Sequence, residues 1–254
     1  MLFSVLTLNL HGTIDRWLGR RELIVSALVD RQPDIIAFQR ANTWGGQVPW
    51  ILRQTNERVG FKKYRGIQRR HRGLSHIFDG LAILSTYPIV YHEVLSLPEE
   101  KNALLVNVEL PTGESLDVVC CHLIPGLRLP EVRYQQAMEL TGWMSITGRS
   151  SHQVIAGGFN DVPDSRTIQR VKQQYHSAWQ SKHGYEPVAT WPTGLVDQFD
   201  GWTGCLDYLF ATPTLEVEDA RMFGNRIHSE DPTLFMSDHV GIEATFSLSK
   251  LWAG

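Results

Sequence analysis

Short apolar runs alternate with amphipathic stretches from one end of the chain to the other. Apolar residues at every second position are typical of strands, and apolar residues three and four apart are typical of helices. This pattern predicts strands over 3–10, 35–38, 80–84, 89–95, 103–110, 116–123, 153–156, 206–210 and 241–248. It predicts helices over 15–30, 50–59, 130–145 and 165–173. Strand hairpins and crossover helices occur together, which indicates an α/β fold of two packed sheets with helices outside.

The first predicted helix has a clear apolar face and a clear end. Its residues Leu18, Leu23, Ala27 and Leu28 are expected to face the core. The segment 32–34 ends the helix, since the residue before a proline leaves the helical region. No repeat, low-complexity tract or linker divides the sequence, so a single domain over residues 1–254 is predicted.

Composition excludes several classes of protein. The 254 residues are 43% hydrophobic, which suffices for a full core, and the formal net charge is -3. No global positive field therefore attracts nucleic acid or an acidic membrane, so any phosphate binding has to be local. The three cysteines, two of them adjacent at Cys120 and Cys121, fit neither a disulfide framework nor zinc spacing. We therefore expect a cytoplasmic, reducing location, with neither a signal peptide nor a membrane span.

Polar residues recur at the ends of the predicted strands. They are Asn9, His122, Asn160, Asp207, Asp238 and His239. Strand ends hold side chains rigidly, and functional groups of α/β folds concentrate there. Each residue also has a structural explanation, because a strand-end Asn or Asp often caps a turn and a His in an apolar run often hydrogen-bonds in the core. Their joint occurrence favours a functional site.

Short segments that carry these residues follow one another in a characteristic order. They are Thr7-Leu8-Asn9, 33–39, 80–89, Cys121-His122-Leu123, 157–160, Leu206-Asp207-Tyr208 and Ser237-Asp238-His239. The ordered set resembles the endonuclease/exonuclease/phosphatase superfamily and spans nearly the whole chain. The resemblance implies the DNase I-like fold, a four-layer α/β sandwich in which two packed mixed β-sheets are flanked by helices.

The resemblance also implies a hydrolase that cleaves phosphate esters with a divalent ion, Mg²⁺ or Mn²⁺. Asn9 and Asp238 match family positions near that ion. His239 matches a histidine that acts as general base or stabilises the phosphoryl charge, and Asp207 matches the carboxylate that orients it. The residues that match contacts to the scissile phosphate are His122 and Asn160.

Two positions depart from the family pattern, and both lack the expected acid. Arg40 stands where the family has its main metal-binding glutamate, and Gly158 where it has the aspartate of a Gly-Asp-Phe-Asn motif. Asp161 is not expected to replace that aspartate, because an odd offset along an extended segment points to the opposite face. The site becomes about three charge units more positive, so binding of the divalent ion is expected to be weak or absent.

Arg40 then has two interpretations. We hypothesise that its guanidinium occupies the metal position, pairs with Asp238 and offers its planar fork to a phosphate. The alternative is that Arg40 points to solvent and the pocket is a relic.

A basic run lies over residues 62–72. Its cationic residues are Lys62, Lys63, Arg65, Arg69, Arg70 and Arg72. The run is predicted to bind a phosphate ester or nucleic acid through Arg69, Arg70 and Arg72, with Tyr64 stacking on a base. The alternative is a solvated face, the usual role of such a run. Candidate aromatic residues of the cleft wall, unless they pack on the core, are Trp44, Trp50, Trp191 and Trp202.

The sequence therefore supports two functions. The first is a phosphodiesterase or nuclease-type hydrolase, impaired by Arg40 and Gly158 to weak or no activity. The second is a catalytically inactive pseudoenzyme that binds a phosphate-bearing ligand or nucleic acid. Deliberate replacement of the two acids in an active hydrolase would give the same sequence, although amide or alanine replacements are the more usual choice. The sequence defines neither the natural substrate nor the oligomeric state.

Overall fold

The computed structural model describes residues 1–73, 78–126, 128–196, 201–225, 228 and 230–249. The strands in these residues are β1 (Leu2–Asn9), β2 (Ile35–Gln39), β3 (Arg65–Arg70), β4 (Gly80–Ser85), β5 (Ile89–Ser96), β6 (Asn102–Glu109), β7 (Ser115–His122), β8 (Gln153–Gly158), β9 (His176–Ser177), β10 (Asp207–Ala211), β11 (Leu215–Phe223) and β12 (Gly241–Leu248). The helices are α1 (Trp17–Arg31), α2 (Gln47–Val59), α3 (Pro130–Thr147), α4 (Arg166–Lys172) and α5 (Ala178–His183).

The strands form two six-stranded sheets, one of order β11-β12-β1-β2-β4-β3 and the other of order β5-β6-β7-β8-β10-β9. Each sheet has one parallel pair, β1 with β2 and β7 with β8. The other neighbouring strands pair antiparallel. The predicted α/β fold of two packed mixed sheets flanked by helices is confirmed.

Three apolar clusters hold the four layers together. Between the sheets, Val5 and Ile83 of one sheet pack with Val118 of the other. Helices α1 and α2 cover the outer face of the first sheet, and α3 and α4 cover that of the second. Because both faces of β2 are covered, Ile35 points into the inner cluster and Ile36 into the outer one. Each fully buried aliphatic side chain contributes about 1.5–3 kcal/mol, so burial on both faces stabilises β2 strongly.

Every predicted strand and helix lies on an observed one, and the ends differ by a few residues. The pattern does not predict β3, β9, β11 or α5. Strands β3 and β11 lie at sheet edges and carry exposed charged residues, which weakens their apolar alternation. Strand β9 has 2 residues and α5 has 6, too few for a periodic signal.

Helix α1 buries a cation rather than one of its predicted core leucines. Leu18 is 68% exposed, whereas Arg20 is fully buried. The expectation for Leu18 was wrong, because α1 buries apolar side chains only from Ile24 onward. The Arg20 guanidinium donates to the backbone carbonyls of Leu10, Gly12, Ile14, Asp15 and Met236 at 2.6–3.1 Å. These bonds tie the loop after β1 to the segment before β12.

Within the described ranges, none of the helices combines the length and the apolar character that spanning a membrane requires.

Candidate active site

A cavity of about 750 Å³ opens at one end of the sandwich. Strand register explains its position, because β1, β2, β7 and β8 end there and their antiparallel partners β12, β4, β6 and β10 begin there. The lining residues are Asn9, Arg40, Asp79, Lys101, His122, Ile124, Pro125, Gly126, Arg133, Asn160, Asp161, Val162, Trp191, Trp202, Leu206, Asp238 and His239. Side chains next to fixed strand ends are themselves held in place.

Most of the predicted site residues meet in this cavity. Those in its wall are Asn9, Arg40, His122, Asn160, Asp238 and His239. Asp207 lies behind His239 and bonds to its ring. Of the candidate tryptophans, Trp191 and Trp202 line the cavity with ring centroids 5.9 Å apart. Trp50 instead packs edge-on against Trp17.

None of the arginines of the basic run is among the residues that line this cavity. Arg69 and Arg70 are exposed on the edge strand β3, and Arg69 Nη2 lies 2.7 Å from the His92 ring. Arg72 donates to the Leu97 carbonyl at 3.4 Å. The expected stacking of Tyr64 on a base was wrong, because Tyr64 is fully buried and its hydroxyl donates to a backbone carbonyl. Ligand binding by the three arginines stays a prediction.

Asp207 and His239 form a buried charge pair. Asp207 Oδ2 lies 2.7 Å from His239 Nδ1 and also accepts from the Thr190 hydroxyl at 2.7 Å. Burial alone would lower the pKa of His239, but the charges of Asp207 and Asp238 and the Asp207 hydrogen bond raise it. The raised pKa favours the protonated ring of His239, which lines the cavity.

The pKa of His122 is shifted in the opposite direction. Its Nδ1 is buried, and no described residue hydrogen-bonds to it. The pKa of His122 lies well below its ordinary value, because burial disfavours the charged ring and the nearby positive charges of Lys101 and Arg40 add to this effect. One cavity thus holds one imidazole whose pKa is lowered and one whose pKa is raised, which is the kind of contrast that divides acid and base roles between two groups.

The absence of a side chain at Gly158 makes room for the His122 ring. A Cβ at this position would lie 2.9 Å from His122 Cδ2 and 3.4 Å from Asp207 Oδ1. Asp161 lines the cavity, contrary to the expectation from strand alternation, because β8 ends at Gly158 and Asn160 adopts a left-handed φ of 53°. The Asp161 carboxylate accepts from Arg133 Nε at 3.1 Å and is therefore already paired.

Asp238 is engaged by two basic side chains. Its Oδ2 lies 2.9 Å from His11 Nδ1 and 3.8 Å from Arg40 Nη1, and its Oδ1 accepts from the Ser237 hydroxyl at 3.1 Å. Burial raises the pKa of Asp238, but the hydrogen bond to His11 and the charges of His239, His11 and Arg40 reverse this and hold it well below its usual range. Asp238 is thus an anion with both oxygens occupied.

The residues expected at the family's metal position, Asn9, Asp238 and Arg40, do not suit a divalent cation. Such an ion needs several oxygen ligands, yet the Asp238 oxygens are engaged and Asn9 Oδ1 accepts from the His11 backbone at 3.0 Å. The Arg40 guanidinium brings a positive charge to the same place. Asn9 Nδ2, in contrast, is a buried donor with no partner in the described part of the chain. An unpaired donor beside a guanidinium suits an anion better than a metal ion.

A second group of candidate metal ligands was not predicted from the sequence. His71, Asp79 and His122 bring ligand atoms within 4.8 Å of one another. However, the Asn102 backbone N–H donates to His71 Nδ1 at 2.9 Å, so in the neutral ring the hydrogen lies on Nε2, which then cannot bind a metal. Lys101 Nζ, 3.3 Å from Asp79 Oδ2, adds a further positive charge. This cluster also favours an anionic ligand.

Two other side chains of the site were missed as well. His11 contacts Asp15 at 2.6 Å through Nε2 and Asp238 through Nδ1. Lys101 is buried, and burial lowers its pKa although Asp79 opposes the shift. The sequence carried one usable signal, which is that His11 follows Asn9 by two residues at the end of a strand.

Comparison with known proteins identifies the family of this chain. The sequence model of the Endonuclease/Exonuclease/phosphatase family matches residues 6–239, so the chain belongs to that family. No curated protein sequence is significantly similar to it.

Solved structures share the fold over nearly the whole chain at low identity. The human Nocturnin catalytic domain is 18% identical, with 98% of this chain and 95% of that one covered and a TM-score of 0.78. Truncated TDP2 from Caenorhabditis elegans is also 18% identical, with 98% of each chain covered and a TM-score of 0.79. An endonuclease/exonuclease/phosphatase from Bacteroides vulgatus is 15% identical, with 98% and 100% covered and a TM-score of 0.77. At this identity the likeness concerns the fold.

Proposed function

We propose that this chain is a weak phosphodiester hydrolase that binds its substrate through a guanidinium where its family uses a divalent ion. The engagement of Asp238 carries the proposal, since its Oδ2 lies 2.9 Å from His11 and 3.8 Å from Arg40. The anion that would hold the ion is already neutralised. Arg40, 35% exposed in its side chain and part of the cavity wall, is left to meet a phosphate.

The surrounding donors support phosphate binding. The cavity is lined by Asn9, Arg40, Lys101 and His239, which offer N–H groups from different parts of the chain. Charge-assisted hydrogen bonds from several fixed donors are the usual means of holding a phosphoryl group. The Nocturnin catalytic domain, which shares the fold, is described with a bound sulfate anion, and sulfate is tetrahedral like phosphate.

The two histidines support slow acid–base hydrolysis. A water oxygen attacks phosphorus, neutral His122 takes a proton from that water, and the bond between phosphorus and the leaving oxygen breaks. Protonated His239 stabilises the phosphoryl charge and gives its proton to the leaving oxygen. A protonated ring cannot accept the proton of the water, so His239 is not the general base in this scheme. Gly158 has no carboxylate that could position the water. The rate is therefore expected to be low, because general acid–base help of this kind is worth about 10²–10⁴-fold.

Hydrolysis of bis(4-nitrophenyl) phosphate tests the proposal. We expect weak release of nitrophenolate that is unchanged by EDTA and by added Mg²⁺, and that falls about 10²–10⁴-fold in His122→Gln. Arg40→Gln should weaken binding of inorganic phosphate, measured by calorimetry, by about tenfold or more, because it removes a charged donor. Activity that appears only with Mg²⁺ would refute the metal-independent route.

A binding protein without turnover is the second candidate, and the bare backbone at Gly158 favours it. In that case inorganic phosphate should bind to the unmodified chain and lose affinity in Arg40→Gln, while no nitrophenolate is released under any condition. Turnover that His122→Gln abolishes would exclude this candidate.

Nucleic acid is one proposed ligand class, supported by the exposed arginines Arg69, Arg70 and Arg72 of the basic run. Phosphate backbones bound by such residues release counterions, so affinity should fall steeply as salt rises. Affinity for a single-stranded oligonucleotide that is insensitive to salt, or unchanged in a triple Arg→Gln variant of these positions, would contradict the proposal.

We also propose a reducing, cytoplasmic location. Cys120, Cys121 and Cys205 are all free and buried, and burial raises the pKa of Cys120 to about 12, which keeps it an unreactive thiol. Fractionation of cells that express a tagged chain would test this, and recovery from an oxidising compartment would contradict it.

A further inference from the structure

A second cavity of about 500 Å³ adjoins the first one. Arg40 and Asp79 belong to the walls of both cavities. The guanidinium proposed to hold the phosphate is therefore exposed to two compartments rather than one. A ligand whose phosphorus lies at Arg40 can direct one substituent into each.

The second cavity differs from the first in its far wall. Phe78 and Ile14, 60% and 51% exposed, present apolar surface there. The first cavity has its own apolar wall, which includes Trp191, Trp202 and Val162. Exposed apolar side chains are usually scattered over a surface, whereas here they stand on either side of a cationic centre. Each wall suits a flat or apolar group.

The loop that forms the second cavity is fixed before any ligand binds. Arg20 donates to the carbonyls of Gly12 and Ile14, and Gln47 Nε2 also donates to the Gly12 carbonyl. Asn42 Nδ2 donates to the Thr13 hydroxyl at 2.8 Å. A cavity whose wall is held in this way loses little conformational entropy when it is filled.

We propose that this second cavity is a subsite for the other ester group, so that the ligand is a phosphodiester with an apolar or aromatic substituent on each side of phosphorus. The inference rests on the proposed function, because it requires the phosphate to lie at Arg40. A phosphomonoester or a diester with one methyl group would leave the second cavity empty.

Two diesters of equal charge separate this inference from its premise. Diphenyl phosphate carries two rings and methyl phenyl phosphate carries one, and the affinity of each is measured by calorimetry. We expect diphenyl phosphate to bind at least about 10-fold more tightly, since it buries one more ring. In Phe78→Ala the ratio should fall below about 3-fold. Phe61→Ala is the matched control, because Phe61 is 63% exposed and lies in the wall of neither cavity.

The outcomes distinguish the two claims. If both diesters bind and Arg40→Gln weakens both, but their affinities differ by less than about 2-fold, the second subsite is wrong and the proposed function survives. A ratio that Phe78→Ala leaves unchanged, or that Phe61→Ala lowers equally, also overturns the subsite. If neither diester nor inorganic phosphate binds, the proposed function fails and the subsite fails with it.

Discussion

Replacing Arg40 by glutamate is expected to turn the cavity into a divalent-ion site. The change puts a negative charge in place of a positive one near Asp238 Oδ2, which lies 3.8 Å from Arg40 Nη1. A unit charge pair at this distance interacts by about 4 kcal/mol at an effective dielectric of about 20, and by about 1 kcal/mol when exposed. Because the Arg40 side chain is 35% exposed, we expect Arg40→Glu to lower the free energy of unfolding by about 2–5 kcal/mol without an ion.

Thermal unfolding with EDTA and with Mg²⁺ measures the effect. An ion at 100 times its Kd stabilises the folded state by about 2.7 kcal/mol, and 1 kcal/mol moves the Tm of a chain of this size by about 2–4 °C. Arg40→Glu should therefore gain about 5–11 °C on addition of Mg²⁺, and the unmodified chain less than about 2 °C. Arg40→Gln, which removes the cation without adding an anion, is the control and should gain little.

Two results would refute this reasoning. An equal gain in the unmodified chain would mean that the surviving oxygens hold the ion despite the guanidinium. Equal gains in Arg40→Glu and Arg40→Gln would mean that the restored carboxylate is not a ligand. Adding Gly158→Asp restores the second acid, but the new side chain must displace the His122 ring, whose Cδ2 lies 2.9 Å from the Cβ position.

Three further substitutions test the site and its support. Asp207→Asn should lower the free energy of unfolding by up to about 3–5 kcal/mol. Because the folded-state pKa of His239 is raised, the Asp207–His239 pair stabilises the fold fully below about pH 6.5 and loses this effect as the pH rises through the raised pKa. If the difference in unfolding free energy between the unmodified chain and Asp207→Asn, measured with urea, grows with pH, this reasoning is wrong. Gly158→Ala should lower the free energy of unfolding by about 1–3 kcal/mol, because the added Cβ crowds the His122 ring. Unchanged stability and turnover would refute this close contact. Arg20→Met should lower the free energy of unfolding by at least about 3 kcal/mol, because five buried carbonyls lose their hydrogen-bond donor. An unchanged midpoint of urea unfolding would argue against this.

Most of the fold could be predicted because most of its strands are buried on both faces. In β2, Ile35 and Ile36 face different apolar layers, so the strand appears as a continuous apolar run that turn residues bound. Strand β3 could not be predicted, because it is an edge strand whose exposed arginines resemble a solvated loop. Burial of Arg20 could not be predicted either, since its five acceptors are backbone carbonyls and leave no mark in the sequence.

The candidate site could be predicted only where its residues follow strands. Asn9 and His122 end β1 and β7, and the sheet register brings them to one edge. Lys101 and His71 reach the same region from segments without a motif, so only the tertiary structure reveals them. Asp161 was misplaced because alternation holds only while the backbone stays extended, and the left-handed φ of Asn160 ends that condition.

The bond from Arg20 to the Met236 carbonyl joins positions 216 residues apart. During synthesis, the opening strand and its neighbouring loop emerge long before the partner that closes them. Until Met236 has been made, the loop after β1 lacks the carbonyl that joins it to the segment before β12. A chain cut before Met236 would lack this bond and the cavity residues Asp238 and His239, so ligand binding should report that synthesis has passed this point.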